Sequence, residues 1–189
     1  MPERQVHGNL FEAAVISLSN AKANAYTAAW DIGTNTSVKY IREDGSVDCG
    51  DFRRVWEHCL STAETGESWY MVLGRHINKK CTAVYELEFT PERCLQLMGE
   101  LPTEEVYNIG DTISTEYWPV GYREEAREVA TQWKEEWGQL FGKLSPARKI
   151  SKTNCRMQCT IGKINLNSLF GELVQSKKYE KLIGVSFAG

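Results

Sequence analysis

Hydrophobic residues near the start of the chain recur at the spacing of an α-helix. Over residues 8–23, Leu10, Ala13 and Ala14 fall on one helical face, whereas Glu12 is displaced from that face. The pattern predicts an opening helix over 8–23 that packs one side against the rest of the protein.

The pattern then changes to short segments with a preference for β-structure. Residues 25–33 and 36–42 are two such segments, and the Gly-Thr-Asn-Thr run between them suits a turn. A second turn is expected over 42–47, where the sequence is Arg-Glu-Asp-Gly-Ser-Val. These features predict a β-hairpin directly after the first helix.

Helical and β-type patterns continue to alternate along the remainder of the chain. Phe52, Val55 and Trp56 recur at helical spacing and predict a second helix over 49–63. We expect central strands over 68–77 and 79–90, joined by an Asn-Lys turn, helices over 91–101, 121–142 and 165–182, and a strand over 156–161. The predicted fold class is α+β (α/β).

The length of 189 residues fits a single domain spanning 1–189 with a core of its own. The sequence contains no run of about 18 apolar residues, which is the length needed to cross a membrane. The first 18 residues lack the basic region, apolar core and cleavage site of a secretory signal. We therefore expect a cytoplasmic protein with no membrane partner.

Six cysteines form an even number, which in a short secreted chain would indicate disulfides. Without a secretory signal, reduced and buried thiols are the preferred interpretation. Cys155 and Cys159 are separated by three residues, so they lack the spacing of a typical zinc ligand pair.

Charge is distributed unevenly although the net charge is only −3. Residues 148–163 contain Lys and Arg but no Asp or Glu, while residues 100–136 are rich in Glu. A basic segment of this kind can contact phosphates or can simply be a solvated surface, and the sequence leaves both interpretations open.

Three residues near the N-terminus carry the chemistry of metal-dependent phosphodiester cleavage. Such a reaction needs carboxylates to bind Mg²⁺ and a cation near the scissile phosphate. Asp31 follows a β-type segment, Lys39 lies in the next one, and Glu12 lies in the first helix. Strand parity places Lys39 on the same face as Ser37 and opposite Val38.

This arrangement resembles the PD-(D/E)xK nuclease superfamily, whose core has the order αβββαβ. The resemblance implies a restriction-endonuclease-like core with a central mixed β-sheet flanked by helices, and it matches Asp31, Lys39 and Glu12 to catalytic positions. Asp31 and Glu12 would bind Mg²⁺. The acid expected two positions before the lysine is replaced by Ser37. Glu12 is the natural substitute for it, and Asp48 and Asp51 are weaker ones.

The resemblance implies a Mg²⁺-dependent endodeoxyribonuclease that hydrolyses phosphodiester bonds of double-stranded DNA, with a type II restriction endonuclease as the first choice. A homing or repair nuclease, or a catalytically inactive nucleic-acid-binding protein, is the alternative. A palindromic site would favour a homodimer. The catalytic core would span about 8–90, and the C-terminal helices and residues 145–165 would recognise DNA. The candidate DNA contacts are Arg148, Lys149, Lys152 and Arg156, with Asn154 and Gln158 able to bond adenine edges.

Other catalytic motifs are missing from the sequence. There is no Gly-rich phosphate loop and no GxSxG nucleophile motif. His7, His58 and His76 are widely separated, so we expect structural or peripheral roles for them. Trp118, Trp133 and Trp137 could stack on bases, but their helical spacing makes packing in the core the expected role.

Overall fold

The computed structural model describes residues 3–22, 24, 28–114 and 118–188, with the backbone alone described for residues 3–5. In chain order, the helices and strands are α1 (Glu3–Ser19), β1 (Thr36–Arg42), β2 (Val47–Asp51), α2 (Phe52–Thr65), β3 (Trp69–Ile77), β4 (Lys80–Phe89), α3 (Pro91–Met98), α4 (Thr103–Thr112), α5 (Arg123–Trp137), β5 (Ser145–Ile150), β6 (Cys155–Ile161) and α6 (Lys163–Phe170). Single 3₁₀ turns are formed by Val120–Tyr122, Gly138–Leu140 and Glu180–Leu182.

Local chemistry sets the ends of several elements. The Asp51 side chain accepts a hydrogen bond from the Arg54 N–H and so caps α2, which ends at Gly66 in the left-handed conformation. Thr90 caps α3, and Pro91 occupies its first turn, where the missing N–H has no cost. Asn78 and Lys79 both adopt positive φ and close the tight β3–β4 hairpin, as predicted.

The first sheet contains β1, β3 and β4 in that order. β1 pairs with β3 in parallel, with Val38 opposite Val72, and β3 pairs with β4 in antiparallel. A parallel pair needs a long crossover connection, and the chain between β1 and β3 includes α2. The result is a mixed sheet in which β1 is an edge strand.

Helix α1 covers one face of the first sheet. Phe11 and Val15 lie one helical turn apart, both are fully buried, and they pack with Val38. Tyr40 stacks on Phe11 with 4.3 Å between ring centroids. Position 74 must be glycine, because a Cβ there would lie 2.4 Å from the Phe11 ring. Packing against these residues anchors α1 beside β1.

The opposite face of the first sheet joins a larger core. Trp69, Met71 and Leu73 alternate toward this core, where they meet α2 and the second sheet. The second sheet contains β2, β6 and β5 in that order, with antiparallel pairing throughout. Central strand β6 buries Cys155, Met157, Cys159 and Ile161, so its alternate residues face outward.

The predicted hairpin of 25–33 with 36–42 is not formed. Residues 25–27 lie outside the described part of the chain, and residues 28–33 contain no strand. A single bridge joins Ile32 to Thr36, and the sheet neighbour of β1 is β3. The segment after β1 does turn as predicted, but it leads into β2, which belongs to the second sheet. Pairing with β3 places Val38 in the core between the first sheet and α1, whereas the other residues of β1 are half-buried or exposed.

The remaining differences concern elements with weak local signals. Helix α4 and strands β2 and β5 were not predicted, and the predicted helix over 165–182 ends at Phe170 because Gly171 adopts a positive φ. The order of elements therefore differs from αβββαβ. The broader prediction is confirmed, since the protein is α+β with a mixed sheet flanked by helices. Within the described residues, no helix is long and apolar enough to span a membrane.

Candidate functional site

Asp31 lies in the loop that leads into β1 and is held there by its own hydrogen bonds. Its backbone N–H donates to the Thr36 carbonyl at 3.0 Å. One carboxylate oxygen, Oδ2, accepts the Val38 N–H at 2.6 Å. The Asn24 side chain donates to the carbonyls of Trp30 and Gly33 and tethers the same loop. This network fixes the position of Asp31 while Oδ1 takes no part in it.

Glu12 lies beside Asp31 because of the way α1 packs. Its neighbour Phe11 is fully buried against the first sheet, so Glu12, displaced by about 100° around the helix, lies at the margin of the packed face. Burial raises the pKa of the Glu12 carboxyl, the negative charge of Asp31 raises it further, and the positive charge of Lys39 lowers it. Glu12 is therefore close enough to interact electrostatically with both residues.

Lys39 lies in the middle of β1, between two residues that pack toward α1. Val38 and Tyr40 belong to the α1 side of the sheet, so the Lys39 side chain projects from the opposite side, together with Ser37 and Ile41. Its ammonium forms no hydrogen bond or ion pair with the described residues. Because β1 is an edge strand, Lys39 is not enclosed between two neighbouring strands.

The pair of carboxylates has the chemistry expected of a magnesium ligand set. Mg²⁺ binds through one or two protein carboxylates and completes its coordination with waters and substrate phosphates. Glu12 and Asp31 supply two carboxylates whose mutual repulsion a divalent cation would relieve. A cluster of three or more His, Cys, Asp or Glu suited to a metal does not occur in the described parts of the chain. The two carboxylates are donors of the type that Mg²⁺ prefers, and the described residues add no third ligand of this kind beside them.

The two weaker carboxylate candidates have structural roles instead. Asp48 accepts the Gly50 N–H at 2.9 Å, and Asp51 caps α2. Both lie on β2 in the second sheet. Glu12, by contrast, interacts electrostatically with Asp31 and Lys39. Ser37 pairs with Met71 in the first sheet and supplies only a neutral hydroxyl. Glu12 is thus the better placed partner for Asp31.

The predicted DNA-contacting residues do not share one surface. Arg148 pairs with Met157 on the inner side of the second sheet, and its guanidinium donates to Thr131 of α5 at 2.9 Å. Acidic residues of α5, including Glu128 and Glu135, line the same cleft. Arg148 is therefore directed toward acidic groups of this protein.

The remaining candidates lie on the outer face of the second sheet or at its hairpin turn. Lys149, Arg156 and Gln158 project outward, and Lys152 and Asn154 lie in the turn between β5 and β6. Lys149 is directly opposite Arg156, and like charges in such a pair destabilise a sheet unless an anion lies between them. The Arg156 Nε is buried without a hydrogen-bond partner among the described residues. An external phosphate is a suitable counter-charge for this pair.

A charged cleft at the far end of β1 was missed by the sequence analysis. It has a volume of about 800 Å³, and its lining includes the cations Arg42, Lys79 and Lys163 and the carboxylates Glu43 and Asp44. His7 and His76 contribute two further rings, 5.1 Å apart. Burial and the neighbouring positive groups lower the pKa of His76. These residues come from four separate segments, so no local motif in the sequence announces them.

The six cysteines form no disulfide and are all buried, as expected.

Comparisons of the chain with protein-family models, curated proteins and solved structures find no match. A function for this chain is therefore inferred from its own residues and their geometry.

Proposed function

We propose that this protein is a Mg²⁺-dependent endonuclease that hydrolyses phosphodiester bonds of double-stranded DNA. The observation that carries the proposal is that Asp31 accepts the Val38 N–H, next to Lys39 in edge strand β1, while the Glu12 carboxyl interacts electrostatically with both Asp31 and Lys39. Two carboxylates and one amine that forms no hydrogen bond or ion pair with the described residues are the parts that such a reaction requires. The proposal includes membership of the PD-(D/E)xK superfamily, although β2 departs from that core by joining a second sheet.

Each residue has a distinct task in the proposed reaction. Glu12 and Asp31 would hold Mg²⁺, which polarises the phosphate and favours ionisation of the attacking water when it is bound. Lys39 offsets the negative charge that develops on the phosphate and orients the water for in-line attack. The water oxygen bonds to phosphorus, the bond to the 3′ oxygen breaks, and that oxygen takes up a proton. The products are a 5′ phosphate and a 3′ hydroxyl.

DNA binding is assigned to the outer face of the second sheet. Lys149 and Arg156 would contact phosphates, and Gln158 on the same face would reach a base edge. A type II restriction endonuclease acting as a homodimer on a palindromic site is our first choice, ahead of a homing or repair nuclease.

An inactive DNA-binding protein is the second candidate, because the position of Ser37 lacks the usual acid. Plasmid cleavage by purified protein, measured with Mg²⁺ and with a chelator, separates the two functions. We expect Mg²⁺-dependent nicking or linearisation.

The matched variants for this assay are Lys39→Met and Lys80→Met, since both lysines lie on the first sheet and only Lys39 belongs to the candidate site. Lys39→Met is expected to slow cleavage by about 10²–10³-fold. Lys80→Met should leave the rate unchanged. Equal rates for the two variants would show that Lys39 has no part in the chemistry.

A further inference from the structure

A cleft of about 440 Å³ opens between the loop before β1, helix α2 and the start of β3. Its volume is within the range of small-ligand pockets. Trp30 lines the cleft and directly precedes Asp31 in the chain, so the cleft adjoins the candidate site. The cleft plays no part in the chemistry described above.

Aromatic rings form one wall of this cleft. Trp30 stacks on His58 with 3.8 Å between centroids and 22° between ring planes. Trp69 tilts against both rings at 5.9 Å, and Tyr70 at the mouth remains 38% exposed. Stacking holds the Trp30 ring in place before any ligand arrives, which reduces the entropy cost of binding. Such a wall favours a planar, unsaturated ligand.

The other lining groups are polar and almost entirely uncharged. Asn35, Ser61 and Ser68 place amide and hydroxyl groups on the cleft. Burial and the charge of Arg54 lower the pKa of His58 to about 4, so its imidazole is neutral at physiological pH. A neutral imidazole offers one donor and one acceptor. Glu67 is the only carboxylate among the described lining residues, and none of them is Lys or Arg.

This combination excludes several classes of ligand. A phosphate would find no cation in the described lining, and a purely apolar molecule would leave the amide and hydroxyl groups without partners. A nucleobase has a π-face for the aromatic wall and an edge of donors and acceptors for the polar groups. It is the ligand whose chemistry matches both walls.

We propose that the cleft lined by Trp30, His58 and Ser61 receives an unstacked nucleobase from a nucleotide next to the scissile phosphate. This inference rests on the proposed nuclease function for the origin of the base. Removing a base from the duplex stack costs a few kcal/mol, which stacking in the cleft would offset. The cleft would then select among substrates by the ease of unstacking and by the hydrogen-bonding edge of the base.

The test uses a short oligothymidylate that carries one 2-aminopurine, with Ca²⁺ in place of Mg²⁺. The fluorescence of 2-aminopurine falls when the base stacks on an aromatic ring. Ser61→Leu fills the cleft from an exposed position of α2, and Ala63→Leu places the same side chain on α2 outside the cleft. Trp30→Ala removes the stacking ring directly, with its folding checked by thermal melting.

Wild-type protein and Ala63→Leu are expected to quench the fluorescence equally. Ser61→Leu and Trp30→Ala should lose the quenching and weaken binding by about 5–150-fold, which corresponds to the loss of one stacked base. Unchanged quenching in Ser61→Leu would overturn the inference.

Plasmid cleavage measured in parallel separates this inference from the proposed function. Intact cleavage together with equal quenching by Ser61→Leu and Ala63→Leu would overturn the base site and leave the nuclease proposal standing. Absence of cleavage by wild-type protein, together with quenching that Ser61→Leu abolishes, would overturn the nuclease proposal and support a base-binding cleft.

Discussion

Asp31 serves the fold as well as the proposed chemistry, and two substitutions separate these roles. Its Oδ2 accepts the Val38 N–H at 2.6 Å, so Asp31→Ala leaves that partly buried donor unpaired. We expect Asp31→Ala to lose about 1–3 kcal/mol of stability, whereas Asp31→Asn keeps an oxygen acceptor and melts close to wild type. Both variants should lose cleavage activity. Thermal melting and plasmid cleavage, measured on the same preparations, test this prediction. Full activity in Asp31→Asn would show that Asp31 is not a metal ligand.

Glu12 is expected to destabilise the folded protein at neutral pH. Its pKa is raised in the folded state by burial and by Asp31, so the folded state binds its proton more tightly than the unfolded state does. The ordinary pKa of a glutamate carboxyl is about 4.5. The stability of the protein therefore falls as pH rises from this value through the raised pKa of Glu12, and it stays lower at higher pH.

Glu12→Gln removes this titration. We expect the variant to melt about 1–3 °C above wild type at neutral pH without added metal, because solvent screening keeps such repulsion below about 1 kcal/mol. The two melting temperatures should converge below the ordinary pKa of glutamate. Melting curves across this pH range provide the measurement, and a variant less stable than wild type at neutral pH would contradict the assignment.

At the level of elements, β5 offers a test in two adjacent residues. Arg148 faces α5 and donates to Thr131, whereas Lys149 faces outward opposite Arg156. Lys149→Ala is expected to reduce the slope of log affinity against log salt by about 0.9 on duplex DNA, as for one lost phosphate contact. Arg148→Ala should leave the slope unchanged. Binding titrations at several salt concentrations test this pair, and the reverse result would assign DNA to the α5 side of the sheet.

In the whole molecule, the proposed ion would connect segments that are distant in the chain. Glu12 belongs to α1 and Asp31 to the loop before β1, so the two carboxylates come together only in the folded state. Mg²⁺ that binds both would therefore favour the folded over the unfolded state. We expect Mg²⁺ to raise the melting temperature of wild-type protein by an amount that grows with its concentration. Glu12→Gln and Asp31→Asn should lose most of this increase. An equal increase in all three proteins would place Mg²⁺ elsewhere.

Most helices and one hairpin were predictable from the sequence because their signals are local. The periodicity of Phe52, Val55 and Trp56 predicts α2, and Thr90 with Pro91 predicts the start of α3. The Asn78-Lys79 turn likewise predicts the β3–β4 hairpin. Glu12, Asp31 and Lys39 were singled out by residue type and order, and in the structure the Glu12 carboxyl interacts electrostatically with the other two.

Long-range contacts set the remaining features, and short windows of sequence do not contain them. Thr36 pairs with Tyr70 across the α2 crossover, and Val47 pairs with Ile161 in a sheet that the sequence did not indicate. The Arg148 side chain points toward α5 and the Lys149 side chain points away from it, because α5 packs on one side of β5 only. Closing the long loops between these strands costs entropy, and the apolar surface that several segments bury together offsets that cost. Residue types along the chain therefore determined the candidate chemistry, and packing between distant segments determined where each group points and which clefts lie beside it.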